Sequence, residues 1–240
     1  MLIENVSAIL KKMSHAAMGA GRNPAEIKLI AVTKTVEIEK MKEAVAIGLR
    51  TFGENRVQEA QKKILELESE INPPHPPFNK GGMGIEWHLI GHLQKNKTKY
   101  AVRLFDLIHT VDSVELAEEI NRQAEKIDKI QKVLVQVKLS GEETKQGISE
   151  EDLGPLLKSV KGMNNLLLKG LMTIPPFFED PEQTRPYFRR LRELSEKAEK
   201  ADCDMTELSM GMSNDFEVAI AEGATMVRIG TALFGERSVR

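Results

Sequence analysis

The residue best suited to covalent chemistry is a lysine that follows the first apolar segment of the chain. Lys34 comes directly after the segment 27–33. Alternation along a strand places its side chain on the same face as Ile30 and Val32. An amine above such an apolar layer has a lowered pKa, remains nucleophilic and can form an imine with an aldehyde. The alternative is a strand-end lysine that points into water.

Small polar residues suited to holding a phosphate follow two later apolar segments. Ser213 precedes an apolar-periodic stretch, which predicts that it caps a helix and offers its hydroxyl to an anion. Gly230 allows a close backbone approach, and Thr231 adds a second hydroxyl. The pattern indicates a phosphate site. A plain helix cap at Ser213 and a tight turn at Gly230 explain these residues equally well.

Arg228 shares a strand face with Met226 and Gly230, so its guanidinium is predicted to lie in the protein interior. A buried guanidinium needs a partner. The ring nitrogen of a phosphate-bearing pyridine cofactor is one such partner, and a permanent cation beside it keeps that nitrogen unprotonated. An interior salt bridge to a residue such as Glu54 is the alternative.

The elements that must position these residues are short apolar segments that alternate with amphipathic helical stretches, such as 37–48 and 114–130. This alternation predicts an α/β fold, a (β/α)8 TIM-type barrel, in which the carboxyl ends of the strands form the active face. An additional helix over about residues 3–19 precedes the first strand. A doubly wound open sheet is the alternative. The predicted strands are 27–33, 51–54, 86–91, 107–112, 132–138, 167–174, 207–210 and 226–231.

The length of 240 residues is in the range of one large α/β barrel or of two small domains, and we predict one domain over residues 1–240. The chain is 41% apolar, which is enough for a sizeable core, and its net charge of -2 provides no general attraction to nucleic acid or to a membrane surface. Cys203 is the single cysteine, and the amino terminus lacks the apolar stretch of a signal peptide. We therefore expect a cytoplasmic protein, and a monomer.

Three further features bear on function. The segment 72–84 is rich in Pro and Gly and is predicted to be an inserted surface loop, with a proline-rich docking motif as the alternative. His88 and His92 lie four residues apart in a strand and turn, where this spacing does not align two ligands, so no metal site is predicted. The arginines of the helix 181–201 are expected to form a solvated surface of mixed charge rather than a docking site.

Short motifs occur in order along nearly the whole chain, at residues 31–34, 52–55, 87–94, 111–113, 140–142, 170–172, 209–213 and 227–231. Together they resemble the pyridoxal phosphate homeostasis protein family. This family shares the barrel of bacterial alanine racemase and lacks its second, β-rich domain. The chain departs from the expected pattern at Lys138, where a shorter polar residue is usual, and at the insertion 72–84.

The resemblance implies a pyridoxal 5'-phosphate-binding protein that acts in vitamin B6 homeostasis as a carrier or regulator without robust turnover. It implies that Lys34 forms the Schiff base, that Arg228 contacts the pyridine nitrogen and that Asn55 lines the cofactor. The implied phosphate contacts are Ser213, Gly230 and Thr231. Apo-forms of enzymes that use this cofactor are the expected partners. Two alternatives remain, an amino-acid racemase on the same barrel and an enzyme that acts on a phosphorylated metabolite.

Overall fold

The computed structural model describes residues 1–71, 84–140 and 146–235 of the chain. Parallel strands and helices alternate along the described ranges, as the apolar segments predict. Each strand lies within two residues of its predicted bounds. The strands are β1 (Lys28–Val32), β2 (Thr51–Glu54), β3 (Glu86–Leu89), β4 (Leu107–Val111), β5 (Gln131–Gln136), β6 (Leu166–Met172), β7 (Glu207–Ser209) and β8 (Met226–Ile229).

The predicted amino-terminal helix is present, and the predicted helix 181–201 is divided into a short 3-10 turn, Pro181–Thr184, and a longer α-helix. Two other 3-10 turns are Pro24–Glu26 and Lys95–Lys97. The α-helices are α1 (Leu2–Gly19), α2 (Ile38–Ala46), α3 (Val57–Ile71), α4 (Thr98–Leu104), α5 (Val114–Glu125), α6 (Glu150–Lys161), α7 (Arg185–Lys200), α8 (Phe216–Ala221) and α9 (Thr231–Phe234).

Local signals explain several of these boundaries. The hydroxyl of Ser113 accepts a hydrogen bond from the Leu116 N–H at the start of α5, and Ser149 caps α6 in the same way through Asp152. Such caps satisfy backbone donors that have no partner within the helix. Helix α7 buries one apolar stripe against the sheet. Helices α5 and α6 therefore begin where the sequence supplies a side-chain cap.

The strands form a closed barrel in the order β1 to β8. Closure is made by β1 and β8, where Lys28 pairs with Met226 and Ile30 pairs with Arg228. This pairing confirms the predicted barrel and excludes the open sheet, in which the first and last strands would not meet. All neighbouring strands run parallel, so their carboxyl ends gather at one rim.

Two apolar layers hold the barrel together. The larger layer lies between the strands and the surrounding helices and includes Phe52, Phe105 and Phe188. The smaller one fills the barrel interior and consists of Ile30, Leu107, Leu134, Met172 and Met226. Interior positions that this cluster does not occupy carry polar side chains, described below. The barrel interior is therefore mixed in character.

Helix α1 packs on the outside of the barrel against α8 and α9. It buries Leu2, Val6, Ile9, Met13 and Ala17, which share one helical face. Arg22, just after this helix, donates hydrogen bonds to the carbonyls of Ile220 and Ala224 at 2.9 and 2.8 Å. These contacts join the two ends of the chain, so the last strand is held beside the first.

The arginines of α7 are engaged in ion pairs. Arg185, Arg189 and Arg192 all lie within 3.2 Å of the buried carboxylate of Glu222, and Arg190 pairs with Glu150 at 2.7 Å. These pairs agree with the expected mixed-charge surface.

Residues 72–83 of the predicted insertion lie outside the described ranges, so its prediction as a surface loop stands untested. Within the ranges that the structure describes, no helix has an apolar stretch long enough to cross a bilayer.

Candidate functional site

The predicted site residues lie at or just beyond the carboxyl ends of four strands. Lys34 follows β1, Asn55 follows β2, Ser213 follows β7, and Arg228 lies within β8. Gly230 and Thr231 continue from β8 into α9. Because β1 pairs with both β2 and β8, and β8 with β7, these residues gather along one arc of the barrel rim.

Lys34 lies in a tight turn and is half-buried. The Val36 N–H donates to the Thr33 carbonyl at 2.9 Å and closes the turn, and the Thr33 N–H donates to the Gly53 carbonyl at 3.0 Å. Thr35 adopts a φ of 61°, a left-handed conformation that is uncommon for a residue with a branched side chain. The backbone on both sides of Lys34 is therefore closely constrained.

A charged cluster, formed by the buried Glu54 and Lys63 and the half-buried Glu59, holds this turn in place. Lys63 Nζ donates to the Thr33 carbonyl at 2.6 Å, to Glu54 Oε1 at 2.9 Å and to Glu59 Oε1 at 2.6 Å. Glu54 Oε1 also accepts from the Thr33 hydroxyl at 2.7 Å. Because Lys63 binds the carbonyl of Thr33, the cluster fixes the backbone from which the Lys34 side chain extends.

The same cluster also reaches the residue after Lys34. Glu59 Oε1 accepts from the Thr35 N–H at 2.6 Å. Although burial acts to raise it, hydrogen bonds from Lys63 and Thr35 bring the pKa of Glu59 below its usual range. The pKa of Glu54 is raised, because burial outweighs the opposing effect of Lys63. We refer to Glu54, Glu59 and Lys63 together as the Lys63 cluster.

Asn55 is half-buried and lies against the loop that follows β3. A Cβ added to Gly91 would lie 2.4 Å from the Asn55 carbonyl oxygen and 2.7 Å from its Cα, so only glycine fits at this contact. The Thr110 hydroxyl donates to the Gly91 carbonyl at 2.9 Å and holds the loop against β4. Asn55 is thus positioned by close backbone packing.

Ser213 does not cap α8, the helix that follows it in the chain, so this prediction was wrong. Helix α8 begins at Phe216, and its N-cap position is Asp215. The Ser213 hydroxyl instead accepts a hydrogen bond from the Ala232 N–H at 3.3 Å. The reason is that the chain makes a further turn, closed by a 2.6 Å bond from the Met212 N–H to the Asp215 carboxylate, before the helix starts.

This contact brings the two predicted phosphate elements together. Ser213 touches the backbone at the start of α9, one residue after Thr231. Ser213 is half-buried, and Thr231 is exposed. The hydroxyls and the backbone N–H groups at the start of this short helix therefore meet at the mouth of the barrel, where they can bind an anion.

Arg228 points into the barrel, as predicted, and is 3% exposed. It donates to the Ser209 hydroxyl at 2.7 Å and to the Thr173 carbonyl at 2.9 Å. Burial lowers the pKa of Arg228 to about 10, and the charge of Asp215 acts in the opposite direction. The guanidinium is fixed mainly by uncharged acceptors.

The alternative salt bridge from Arg228 to Glu54 is not formed. Glu54 faces outward to α3, where it pairs with Lys63. The strand register explains this, since Glu54 follows the inward position Gly53, at which an added Cβ would meet Ile30 of the interior cluster. Within the described ranges, the hydrogen bonds of Arg228 lead to neutral groups, so its N–H groups have capacity for a further acceptor.

His88 and His92 have different surroundings. His88 is buried in the barrel interior, and its Nδ1 lies 3.0 Å from His109 Nε2. His92 is 43% exposed and lies 3.9 Å from Asp112. In the part of the chain that the structure describes, no group of three His, Cys, Asp or Glu residues could hold a metal ion.

Several residues of the site were not predicted from the sequence. Ser209, Thr173 and His109 contact Arg228 or lie one contact beyond it, and Lys63 and Glu59 hold the turn of Lys34. Side-chain alternation along β7 places Ser209 on the inner face of the barrel, so this position could have been predicted from the sequence. No local pattern signalled Lys63, whose partners lie up to 30 residues away.

The arrangement suits a ligand that carries an aldehyde, an anionic group and a basic ring nitrogen. An amine stands on a constrained turn, hydroxyls and backbone N–H groups meet at the rim, and a buried cation with donors to spare lies between them. The order around the barrel, β1 beside β8 beside β7, places these three functions next to one another.

Comparison with known proteins identifies the family. Residues 6–238 match the family model described as alanine racemase, N-terminal domain. A pyridoxal phosphate homeostasis protein of Aquifex aeolicus is 45% identical over 98% of this chain and 97% of its own length. The protein of the same name in Escherichia coli is 38% identical over 98% and 97% of the two chains.

Solved structures share this fold. PipY of Synechococcus elongatus, solved with PLP bound, has a TM-score of 0.83 and 36% identity, and the match covers 98% of this chain and all of PipY. An alanine racemase of Clostridium difficile shares the fold at a TM-score of 0.68 and 18% identity, and this chain spans only 58% of that protein. On this similarity over its whole length, the chain belongs to the pyridoxal phosphate homeostasis protein family.

Proposed function

We propose that this protein binds pyridoxal 5'-phosphate as a Schiff base on Lys34 and acts in vitamin B6 homeostasis as a cytoplasmic carrier or regulator without robust turnover. The names of its relatives and the PLP-bound PipY structure support the cofactor. The geometry of the rim supports the roles of the individual residues.

The observation that carries the proposal is the environment of Arg228. A guanidinium buried in a barrel interior is costly unless strong partners surround it. Its hydrogen bonds within the described ranges lead to a hydroxyl and a carbonyl. A pyridine nitrogen is an acceptor that completes such a set, and it remains unprotonated opposite a cation.

The remaining contacts follow from the positions of the other groups. Lys34 is half-buried on its constrained turn, where it would meet the aldehyde. The hydroxyls of Ser213 and Thr231 and the backbone of Gly230 would hold the phosphate. Asn55 lies on the side of β2 and would line the ring. Each of these residues is fixed by a backbone contact that does not depend on a ligand.

The absence of robust turnover is proposed from the same arginine. When bound, the cofactor supplies an electron-withdrawing ring, and a permanent cation at its nitrogen weakens that property. Two-base racemisation also needs an acid or base on each face of the substrate. Lys34 is the one such group that we assign. We therefore propose release of the cofactor to apo-enzymes as the biological outcome.

Borohydride reduction of the cofactor-treated protein, followed by peptide mapping, tests this function. We expect one reduced adduct, on Lys34, and its loss in Lys34→Ala with the fold retained by circular dichroism. Lys138→Ala is the matched control, since Lys138 is another half-buried lysine just beyond a strand. An adduct at any other lysine, or none after incubation with the cofactor, refutes the proposal.

A further inference from the structure

A line of hydrogen-bonded polar side chains crosses the barrel interior behind Arg228. Arg228 donates to Ser209 Oγ at 2.7 Å, Ser209 Oγ lies 2.9 Å from His109 Nδ1, and His109 Nε2 lies 3.0 Å from His88 Nδ1. All four residues are buried, with exposures of 3% or less. They come from β8, β7, β4 and β3.

The line ends near the opposite mouth of the barrel. His88 Nε2 lies 3.7 Å from the carboxylate of Glu86, which pairs with Lys28 at 2.8 Å. The interaction with His88, and then that with Lys28, lowers the pKa of Glu86 to about 2, although burial opposes the change. Glu86 is therefore an anion at neutral pH. The line thus has a cation at one end and an anion at the other.

The chemistry of these groups favours one direction of donation. A guanidinium only donates, so Ser209 Oγ accepts from Arg228 and its own hydrogen is free to donate. If that hydrogen goes to His109 Nδ1, then His109 carries its proton on Nε2 and donates to His88 Nδ1. His88 then also carries its proton on Nε2, which faces the Glu86 carboxylate. Each hydrogen bond of the line then joins a donor to an acceptor, and the His88 Nε2–H faces the Glu86 carboxylate 3.7 Å away.

The reverse direction leaves two groups unsatisfied. If His109 Nδ1 donated to Ser209, then the Ser209 hydroxyl would have no acceptor for its own hydrogen among its described contacts. His88 Nε2 would also present a lone pair to the Glu86 carboxylate. A buried polar group without a partner is costly, so the first direction is favoured.

Both imidazoles are neutral in this arrangement. Burial lowers the pKa of His88, although Glu86 opposes the shift. Burial, followed by the charges of His88 and Arg228, holds the pKa of His109 well below its ordinary value. A second proton on His88 Nδ1 would face the His109 Nε2–H at the 3.0 Å contact, and a second proton on His109 Nδ1 would face the hydroxyl hydrogen of Ser209 at the 2.9 Å contact.

We propose that His109 and His88 are positioning residues that act on the cofactor through Ser209 and Arg228. The line turns the Ser209 hydroxyl so that its lone pair faces Arg228, and this contact, with the Thr173 carbonyl, fixes the plane of the guanidinium. The remaining N–H groups are thereby held toward the ring-nitrogen position. This role rests on the proposed function, whereas the direction of the line is a property of the protein alone.

The direction is tested on the apo-protein by nitrogen-15 NMR of the histidine side chains. We expect His88 and His109 to be neutral and to carry their protons on Nε2. Ser209→Ala should perturb the Nδ1 resonance of His109 and leave that of His92 unchanged. A proton on His109 Nδ1, or a charged His109 at neutral pH, overturns the proposal.

The action on the cofactor is tested by equilibrium dialysis of pyridoxal 5'-phosphate with matched interior variants. We expect His109→Phe to weaken binding by about tenfold, because it removes the contact that turns the Ser209 lone pair toward the charged guanidinium. His109→Asn offers an amide oxygen in place of Nδ1 and should bind within about threefold of the parent. Met172→Leu, a volume-conserving change in the interior cluster, is the control and should leave binding unchanged.

A double-mutant cycle separates positioning from simple packing. In a Ser209→Ala background, His109→Phe should cause no further loss, because the link that it removes is already broken. Additive losses, or equal losses in His109→Phe and Met172→Leu, overturn the positioning role. If the parent protein takes up no cofactor, the proposed function fails and this role fails with it, while the NMR result still decides the direction of the line.

Discussion

Lys63→Met provides the sharpest test of how the turn of Lys34 is held. The substitution keeps an unbranched side chain of similar length and removes the ammonium group. It leaves the Glu54 carboxylate, which is fully buried, with the Thr33 hydroxyl as its remaining described donor. Breaking a buried ion pair by removal of one partner costs about 3–5 kcal/mol. Lys63 is 11% exposed in its side chain, so a loss of about 3 kcal/mol is expected.

The pKa of Glu54 determines how the stability loss in Lys63→Met changes with pH. Burial raises the pKa of Glu54 above its ordinary value of 4.5, and Lys63 opposes this shift. A carboxyl group with a raised pKa in the folded state binds a proton more tightly there than in the unfolded state. The free energy of unfolding therefore falls as pH rises from the ordinary pKa to the raised one. Removal of Lys63 raises the pKa of Glu54 further. The loss should therefore be smallest near pH 5 and largest near pH 8.

Urea and thermal denaturation at a series of pH values measure this effect. At neutral pH we expect a fall in melting temperature of about 6–12 °C, by the usual conversion for chains of this size. Glu54→Gln combined with Lys63→Met should recover at least half of the loss, because the amide carries no charge and still accepts from Thr33. Lys62→Met, an exposed neighbour on α3, is the control and should change stability by less than about 0.5 kcal/mol.

Two results would refute the reasoning about the Lys63 cluster. One is a loss in Lys63→Met below about 1 kcal/mol, and the other is a loss that is the same at pH 5 and pH 8. Because Lys63 also donates to the Thr33 carbonyl, the yield of borohydride adduct on Lys34 should fall in the same variant. An unchanged yield would separate the stability of the cluster from any role in positioning the amine.

Three further predictions follow from the rim. Ser213→Ala with Thr231→Ala should weaken retention of pyridoxal 5'-phosphate by about tenfold or more in equilibrium dialysis, since hydrogen bonds to a charged group are worth about 1.5–3 kcal/mol each. Retention as tight as the parent's would rule out both contacts. Gly91→Ala should force the Asn55 backbone to move and lower the melting temperature, whereas an unchanged unfolding curve would contradict the 2.4 Å approach. The parent should show no appreciable α-deuterium exchange with alanine or serine while it transfers cofactor to an apo-enzyme, and rapid exchange abolished by Lys34→Ala would make it a racemase.

The sequence alone predicted the strands and the rim, whereas the pairing of β1 with β8 decided between the barrel and the open sheet. Apolar segments separated by amphipathic stretches located each strand to within two residues, because strand and helix periodicities are local properties of the chain. Parallel strands share one carboxyl edge, so strand order along the chain is enough to place Lys34, Ser213 and Arg228 at the same rim. The inward direction of Arg228 followed from alternation along β8.

Only the tertiary structure decided which groups these residues contact. Arg228 meets Ser209 and Thr173 rather than Glu54, and Ser213 contacts Ala232 rather than its own helix. Such partners depend on strand register, on the tilt of the strands in the closed barrel and on where each loop turns back. Local hydrophobic patterns do not encode these quantities, since they describe which face a residue occupies and not which distant residue shares it.

The contact between His88 and His109 was likewise decided by the tertiary structure and not by the local sequence. In the sequence, His88 and His92 lie four residues apart, a spacing that was considered for a metal site and rejected. In the fold, His88 points inward and contacts His109, which lies 21 residues away. The contact exists because neighbouring strands β3 and β4 bring their inner faces together at the barrel axis. Closure of the sheet, which joins residues far apart in the chain, is the physical step that turns separate polar side chains into one connected interior.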